Sequence, residues 1–208
     1  NSENNRSFFP REMLHGTREV FEYFECSKCG CLQIKDFPED MSKYYPQNYY
    51  SYSNSQFDMF KSPLRKFYKN IIAEYLVLNK GIIGKFLYKY YPNYQLKCMA
   101  KANLNKNSRI LDVGCGAGLI IYRMGDIGFK NVMGIDPFID KDIKHPNGVE
   151  VKKRSVFQID GKWDLLTFHH SYEHIAEQLE TLIQVKNLLS DIGVCVLRLP
   201  TVSSYSWK

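Results

Sequence analysis

Short apolar runs alternate with helical patterns over the second half of the chain. The apolar runs are bounded by glycine, proline, asparagine or aspartate. In two of the intervals between successive runs, apolar residues recur every three or four positions, which is the spacing of a helix. Such alternation is typical of a parallel sheet with helices on both faces. The pattern predicts strands over 109–113, 131–135, 149–151, 163–168 and 194–199, and helices over 119–127 and about 175–189.

A basic helical pattern precedes this region. Ser62 is a suitable N-cap, Pro63 fits the first helical position, and apolar side chains then recur at helical spacing as far as Leu76. Residues 61–101 hold nine Lys or Arg and a single acid, Glu74. Two interpretations are open for the helix over 63–78. It lies on an anionic membrane surface, or it packs its apolar face on the following domain as a lid.

Composition narrows the class of protein without identifying it. The 208 residues are 44% hydrophobic and 24% charged, which fits a globular chain. The net charge of +6 is mild, no apolar run is long enough for a bilayer, and the six cysteines are not disulfide-dense. We expect a cytoplasmic protein with no clear nucleic-acid partner and leave its oligomeric state open. The expected segments are 1–60, 61–107 and 108–208.

The glycine-rich turn after the first predicted strand separates two classes of ligand. A dinucleotide fingerprint needs glycine or alanine at its sixth position, where this chain has Leu119. Asp112 lies two residues before Gly114, and a carboxylate disfavours a pyrophosphate at the start of the following helix. A ligand with an ammonium or sulfonium group suits the turn better than a nicotinamide dinucleotide does.

The turn and two later segments resemble a known family. Residues 111–118 (LDVGCGAG), 134–137 (GIDP) and 163–175 (WDLLTFHHSYEHI) are similar to the first, second-strand and fourth-strand motifs of class I S-adenosylmethionine-dependent methyltransferases. The resemblance implies an α/β, Rossmann-like, doubly wound and mostly parallel sheet behind a small cysteine-containing segment and a helical lead-in. It also implies a set of cofactor-binding residues: Asp112, Gly114, Cys115, Gly116, Gly118, Asp136, Pro137, Ser155, Val156 and His169.

Within the resemblance, individual residues have expected roles. Gly114, Gly116 and Gly118 allow close backbone approach to the amino-acid half of S-adenosylmethionine, and Asp136 hydrogen-bonds its ribose hydroxyls. The family often has an acid after the third strand to receive the adenine amino group. This chain has Lys153-Arg154-Ser155-Val156 there, so backbone groups or Ser155 would have to substitute.

A polar run after the fourth predicted strand supplies candidate catalytic residues. His170 or His174, supported by Glu173, would act as the general base, because imidazole titrates near pH 6.5. The alternative is that Glu173 and His174 only begin the next helix, where a glutamate is favourable. An amine acceptor would need no base.

The segment Cys26-Ser27-Lys28-Cys29-Gly30 has the shape of a zinc knuckle. Some methyltransferases of sugar and surface-polysaccharide modification carry two knuckles before a Tyr-Tyr-Pro tract, and Cys26 and Cys29 followed by Tyr44-Tyr45-Pro46 are similar to the second half. This implies a partial zinc site at Cys26 and Cys29, with a second pair upstream of Asn1 and His15 as a further candidate. The alternative is a vestigial knuckle of half-buried cysteines.

These features predict methyl transfer from S-adenosylmethionine to a small-molecule or sugar-linked acceptor. Two other functions stay open: a non-catalytic cofactor-binding subunit and an RNA-directed methyltransferase. The chain ends a few residues past the fifth predicted strand, whereas the family sheet continues with an antiparallel pair. We therefore expect this chain to be a fragment of a longer protein.

Overall fold

A computed structural model of the protein describes residues 4–13, 16–44 and 50–201, without the side chains of Ser42, Tyr50 and Asn54. The chain divides into two compact units, one of Asn1–Pro46 with Pro200–Lys208 and one of Gln47–Leu199. The expected functional segments, which divide the chain after residues 60 and 107, stay a prediction.

Three short strands form an antiparallel sheet in the first unit. Strand β1 (Arg6–Phe8) pairs with β2 (Tyr23–Glu25), and β2 pairs with β3 (Leu32–Ile34). The sequence pattern does not predict these strands, because three residues are too few for alternation to be distinctive. The β2–β3 connection carries both cysteines of the knuckle.

Helices lead into the sheet of the second unit, as the basic segment predicts. Helix α1 (Pro63–Leu78) begins after Ser62 with proline at its first position, so its predicted bounds are confirmed. Helices α2 (Ile82–Tyr88) and α3 (Tyr94–Lys97) follow, and α3 continues into a 3-10 helix, Cys98–Ala102. None of the helices in the described ranges combines the length and the apolar character needed to cross a membrane.

Helix α1 packs on the sheet rather than standing apart from it. Its buried residues are Ile72, Ala73, Leu76 and Val77, and they share one core with Ile110 and Leu165 of the sheet. This packing matches the second of the two interpretations of the segment. Burial of these four side chains, with Leu96 and Met99 in the same core, holds the lead-in against the sheet.

Six strands form the sheet of the second unit within the described residues. They are β4 (Arg109–Val113), β5 (Asn131–Ile135), β6 (Ile143–Lys144), β7 (Glu150–Lys152), β8 (Trp163–His169) and β9 (Leu189–Arg198). Their order is β6-β7-β5-β4-β8-β9, and all pairings are parallel except that of β6 with β7. The predicted Rossmann-like, mostly parallel α/β fold is confirmed.

Alternate residues of each central strand face two different cores. Ile110 of β4 packs with α1 and with α4 (Leu119–Asp126), whereas Leu111 packs with α5 (Gln178–Leu188) on the other side. Helices therefore cover both faces of the sheet. A strand buried on both faces needs an almost continuous apolar run, and this is why β4 and β5 match their predicted bounds.

The structure corrects the sequence prediction at the last strand and at α5. The sequence pattern predicts a turn at residues 191–193, yet β9 runs through them from Leu189. The pairing of β8 with β9 changes register from Trp163↔Leu189 to Leu165↔Val194. Residues 190–193 therefore form a bulge within β9. The predicted second helix, about 175–189, is shorter in the structure, because α5 begins only at Gln178 and a separate 3-10 turn, Tyr172–His174, precedes it.

The contact between α1 and α2 yields a test of the packing. A Cβ atom added at Gly84 would lie 2.5 Å from Tyr75 Cβ and 2.6 Å from the carbonyl oxygen of Ile71. Alanine favours a helix over glycine by about 1 kcal/mol, but the backbone oxygen cannot move away cheaply. We expect Gly84→Ala to lower the free energy of unfolding by about 1–3 kcal/mol.

Thermal and denaturant unfolding of the variant measure whether the close contact of the added Cβ outweighs the higher helix propensity of alanine. Lys85→Ala, at the neighbouring exposed position of α2, is the matched control and should leave stability nearly unchanged. A Gly84→Ala variant as stable as the parent or more so would show that helix propensity outweighs the contact.

Candidate active site

The register of the parallel strands brings four residues into one row at the carboxyl edge of the sheet. Val113 pairs with Ile135 on one side and with Phe168 on the other. The residues that follow, Gly114, Asp136 and His169, are therefore neighbours, and His169 pairs directly with Arg198 of β9. Ligands of open α/β sheets bind at this edge.

The glycine turn between β4 and α4 requires glycine for two reasons. Gly114, Gly116 and Gly118 have φ angles of 68°, 56° and 82°, in the left-handed region that favours glycine. A Cβ at Gly114 would also lie 2.4 Å from Ser171 Cβ, and one at Gly118 would lie 2.5 Å from Val151 Cγ2. The turn is thus fixed by backbone conformation and by close packing together.

Ser51 contacts this turn from the segment that precedes α1. Its carbonyl oxygen accepts hydrogen bonds from Ala117 N at 2.9 Å and from Gln56 Nε2 at 3.1 Å. A Cβ at Gly116 would lie only 2.6 Å from the same oxygen. The sequence pattern does not predict this contact, because nothing local to Ser51 indicates its distant partner.

Asp136 holds the turn from the opposite side. The residue is only 6% exposed. Its Oδ2 accepts a hydrogen bond from Gly116 N at 2.9 Å, and its Oδ1 accepts one from Phe138 N at 2.9 Å. Burial raises the pKa of Asp136, whereas these two backbone amides lower it. Asp136 therefore lies where the second-strand motif predicts, in direct contact with the glycine turn.

Asp112 is a second buried carboxyl group below the turn. It is 2% exposed, and Thr167 Oγ1 donates a hydrogen bond to its Oδ1 at 2.7 Å. Burial raises the pKa of Asp112, the Thr167 hydroxyl opposes the rise and the charge of Asp136 adds to it, with a net pKa of about 7. Among the described residues, no Lys, Arg or His forms an ion pair with Asp112 or Asp136. The pair of carboxyls thus suits a cationic ligand.

The other predicted cofactor residues differ from one another in burial and in their contacts. Cys115 packs beside Ile121 and Val151, and burial raises the pKa of its thiol well above the usual value. Pro137 is exposed. Ser155 caps a 3-10 turn through a capping box with Gln158, and the side chain of Val156 lies in the core with α5. Both therefore have structural roles in this chain, and their contact with a cofactor stays a prediction.

The polar run after β8 begins with two different histidines. Burial lowers the pKa of His169, and together with the charges of Arg198 and His170 it brings the pKa to about 4. His170 is exposed and has a φ of 55°, and its backbone N–H donates to Arg198 O at 2.8 Å. His170 Nδ1 lies 3.6 Å from Glu173 Oε1. The structure thus brings His170 and Glu173 together as a pair.

His174 and Ser171 complete this loop. His174 is exposed at the end of the 3-10 turn; partial desolvation lowers its pKa, the carboxylate of Glu173 opposes that effect, and His170 adds to it. Ser171 Oγ donates a hydrogen bond of 2.6 Å to Val113 O, directly before the glycine turn. Ser171 is absent from the predicted site residues, although its position immediately after the two histidines was an available signal.

Two backbone hydrogen bonds close the knuckle turn of the first unit. Cys26 N donates to Cys31 O at 2.9 Å, and Gly30 N donates to Cys26 O at 2.8 Å, with a φ of 69° at Gly30. Within the described ranges, no group of three or more His, Cys, Asp or Glu could hold a metal ion. His15, Tyr45 and Pro46 lie outside those residues. Cys26 and Cys29 by themselves do not fit a structural zinc ion.

The raised pKa of Asp112 leads to a prediction about stability and pH. An unfolded aspartate titrates near 3.9, so ionisation of the buried carboxyl opposes folding increasingly as the pH rises from about 4 to about 7. An asparagine side chain at this position would accept the Thr167 hydrogen bond without this cost. We expect Asp112→Asn to raise the melting temperature at pH 8, with a smaller gain at pH 5.

Thermal unfolding at both pH values, without added ligand, measures the effect. Asp160→Asn, at an exposed position, is the control and should change the melting temperature little at either pH. Equal melting temperatures of the Asp112→Asn variant and the parent at pH 8 would contradict a carboxyl that is costly to ionise.

Comparison with known proteins shows the family to which the second half of the chain is similar. A family profile described as "Methyltransferase domain" matches residues 87–208. No curated protein matches the chain. The plantazolicin methyltransferase BpumL in complex with SAH is similar to it at 15% identity, with 65% of this chain and 52% of that chain covered and a TM-score of 0.37. This chain thus spans about half the length of BpumL.

A second solved structure is similar over a larger share of its own chain. Magnesium protoporphyrin IX methyltransferase (ChlM) from Synechocystis PCC 6803, with bound SAM, is 14% identical, with 74% of each chain covered and a TM-score of 0.38. The profile match extends over more than half of the 208 residues and includes the glycine turn, Asp136 and the polar run after β8. The chain therefore belongs to the methyltransferase-domain family.

Proposed function

We propose that this protein transfers a methyl group from S-adenosylmethionine to a small-molecule or carbohydrate-type acceptor. The observation that carries the proposal is the pair of buried carboxyl groups, Asp112 and Asp136, on either side of a glycine turn at the carboxyl edge of the sheet. Neither carboxyl has a cationic partner among the described residues. A ligand that carries both an ammonium group and a ribose matches this pair.

Each carboxyl suits a different part of the cofactor. Asp136 accepts hydrogen bonds from the amides of Gly116 and Phe138, and a backbone hydrogen bond from Ile139 also lowers its pKa. A carboxylate has about four lone-pair sites, so acceptor capacity remains for a ribose hydroxyl. Asp112 would face the ammonium group, which favours the ionised carboxylate and so offsets the cost of its burial. The positive φ angles of the turn let backbone N–H groups approach the ligand without side chains between them.

S-adenosylmethionine supplies an activated methyl group on a sulfonium, which an acceptor nucleophile takes directly. The protein's contribution is then mainly alignment, which can be worth about 7 to 11 kcal/mol of the barrier. Ser51, Asp136 and Ser171 contact the glycine turn from three sides and so hold the alignment rigid.

His170 and Glu173 are the proposed source of base catalysis for a hydroxyl or carbon acceptor. Their 3.6 Å separation lets the carboxylate stabilise the imidazolium that forms when Nε2 accepts a proton. His174 is the other candidate base, because its lowered pKa keeps it neutral at pH 7. A carbohydrate acceptor rests on the resemblance of the knuckle and tyrosine tract alone, and no step of the proposal uses zinc.

The ribose assignment predicts a loss of cofactor affinity. Asp136→Ala removes a charged acceptor, and we expect it to weaken S-adenosylhomocysteine binding by about 1.5–3 kcal/mol. Titration calorimetry measures the change, and circular dichroism checks that the fold persists. Asp140→Ala, an exposed aspartate in the same loop, should bind like the parent. An unchanged affinity of a folded Asp136→Ala variant would remove the ribose role.

The base assignment predicts a loss of turnover without a loss of binding. We expect His170→Asn and Glu173→Gln to lower the rate of labelled methyl transfer to sugar-nucleotide pools, by about 100-fold or more for the histidine. His174→Asn tests the other candidate. Glu177→Gln, on the same segment and exposed, is the control. Parent-like turnover in both histidine variants would leave alignment alone as the protein's contribution.

A further inference from the structure

Several buried polar atoms on β8 and β9, at the carboxyl edge of the sheet, have no hydrogen-bond partner among the described residues. These atoms are the two ring nitrogens of His169 and Nη1 of Arg198, and all three are removed from the surface. A buried donor without a partner costs free energy, and an unpaired charged group costs more. Such groups are rare in folded proteins, and a ligand that satisfies them accounts for their retention.

The two side chains project from the same face of the sheet. On β8, Leu165 packs toward α1 whereas Leu166 and Phe168 pack toward α5, so alternation directs His169 to the α1 side. On β9, Val194 and Val196 pack toward α1, and Arg198 continues that series. The direct pairing of His169 with Arg198 then places the side chains on adjacent strands, about 4.8 Å apart.

This pair lies at the opposite end of the row from Asp136. The order of the strand ends is Asp136 on β5, Gly114 on β4, His169 on β8 and Arg198 on β9. Three strand spacings separate the first from the last, roughly 14 Å. Under the proposed function, on which this inference rests, the cofactor occupies the end with the carboxyls, and the β8–β9 end faces the methyl acceptor.

The chemistry of the pair selects an anion. The guanidinium of Arg198 is always charged and offers a planar fork of donors that matches carboxylate and phosphate oxygens. In the described part of the chain it forms no ion pair with an acidic side chain. Its charge also acts on Cys98, where burial raises the thiol pKa and Arg198 opposes the rise. A neutral His169 adds one further donor beside it.

We propose that His169 and Arg198 form an anion subsite that binds a carboxylate or phosphate group of the methyl acceptor. The acceptor is accordingly an acidic molecule, such as a uronic acid or a phosphorylated sugar, rather than a neutral one. The carboxylate of the cofactor's own amino-acid part has the same chemistry, so the experiment has to separate the two sources.

The test follows the histidine ring nitrogens of the whole chain by ¹⁵N nuclear magnetic resonance. The chain has five histidines, and the signal that His169→Gln removes identifies the ring in question. The protein is first saturated with S-adenosylhomocysteine and then titrated with acetate or inorganic phosphate. We expect a saturable shift of the His169 signals with at least one of these anions.

Variants connect the shift to the guanidinium. Arg198→Gln should weaken anion binding about tenfold or more, since it removes a charged donor, while the affinity for S-adenosylhomocysteine stays that of the parent. Arg198→Lys keeps the charge but loses the planar fork of donors, so its anion affinity should lie between those of Arg198→Gln and the parent. Arg154→Gln is the matched control at an exposed position. A shift that is absent, or that is equal in Arg198→Gln and the parent, overturns the subsite.

A second arm separates the sources of the anion. The titration is repeated with 5′-methylthioadenosine, which lacks the amino-acid part, in place of S-adenosylhomocysteine. Equal anion binding in the two complexes supports an acceptor subsite. Binding only with 5′-methylthioadenosine assigns the pair to the cofactor's carboxylate and overturns the acceptor assignment. Failure of S-adenosylhomocysteine to bind at all contradicts the proposed function itself, whereas normal cofactor binding without anion binding contradicts this inference alone.

Discussion

The hydrogen bond from the Gly116 amide to the buried carboxylate of Asp136 connects the two strands on which the site depends. At 2.9 Å it joins the turn after β4 to the end of β5. Ser51 and Ser171 hold the same turn through Ala117 N and Val113 O. Because three glycines of the turn have positive φ angles, other residues there would strain the backbone, and at Gly114 and Gly118 a side chain would also collide with Ser171 or Val151.

Charge is distributed unevenly along the row of strand ends at the carboxyl edge of the sheet, which runs from Asp136 through Gly114 and His169 to Arg198. The β4–β5 end has two buried carboxyls, one with its pKa raised to about 7, and the β8–β9 end has Arg198 and His169. Buried polar atoms reduce stability unless something pairs with them. At the β8–β9 end these atoms are both ring nitrogens of His169 and Nη1 of Arg198, which have no hydrogen-bond partner among the described residues. Under the proposed function, the ammonium group of the cofactor pairs with the carboxyls at the first end. At the other end, the donors of Arg198 and His169 suit the anionic group of the proposed acidic acceptor.

Local patterns predicted the parts of the fold that depend on local interactions. The bounds of α1, β4 and β5 follow from a proline at a helix start and from apolar runs between turn residues, and all three are confirmed. The bulge in β9 was missed because it arises from pairing with β8, which no local pattern encodes. The contact of Ser51 with the turn was missed for the same reason. The short strands around the knuckle were missed because three residues are too few for alternation to be distinctive.

The proposed function requires that a ligand with an ammonium group and a ribose binds between Asp112 and Asp136. Calorimetric titration of the unmodified chain with S-adenosylhomocysteine at pH 7, repeated in buffers of different ionisation enthalpy, tests it most directly. An ammonium beside Asp112 favours the ionised carboxylate, whose pKa of about 7 leaves it partly protonated beforehand. We expect one site per chain and release of up to about half a proton on binding. No binding, or binding with no net proton release, would contradict the account.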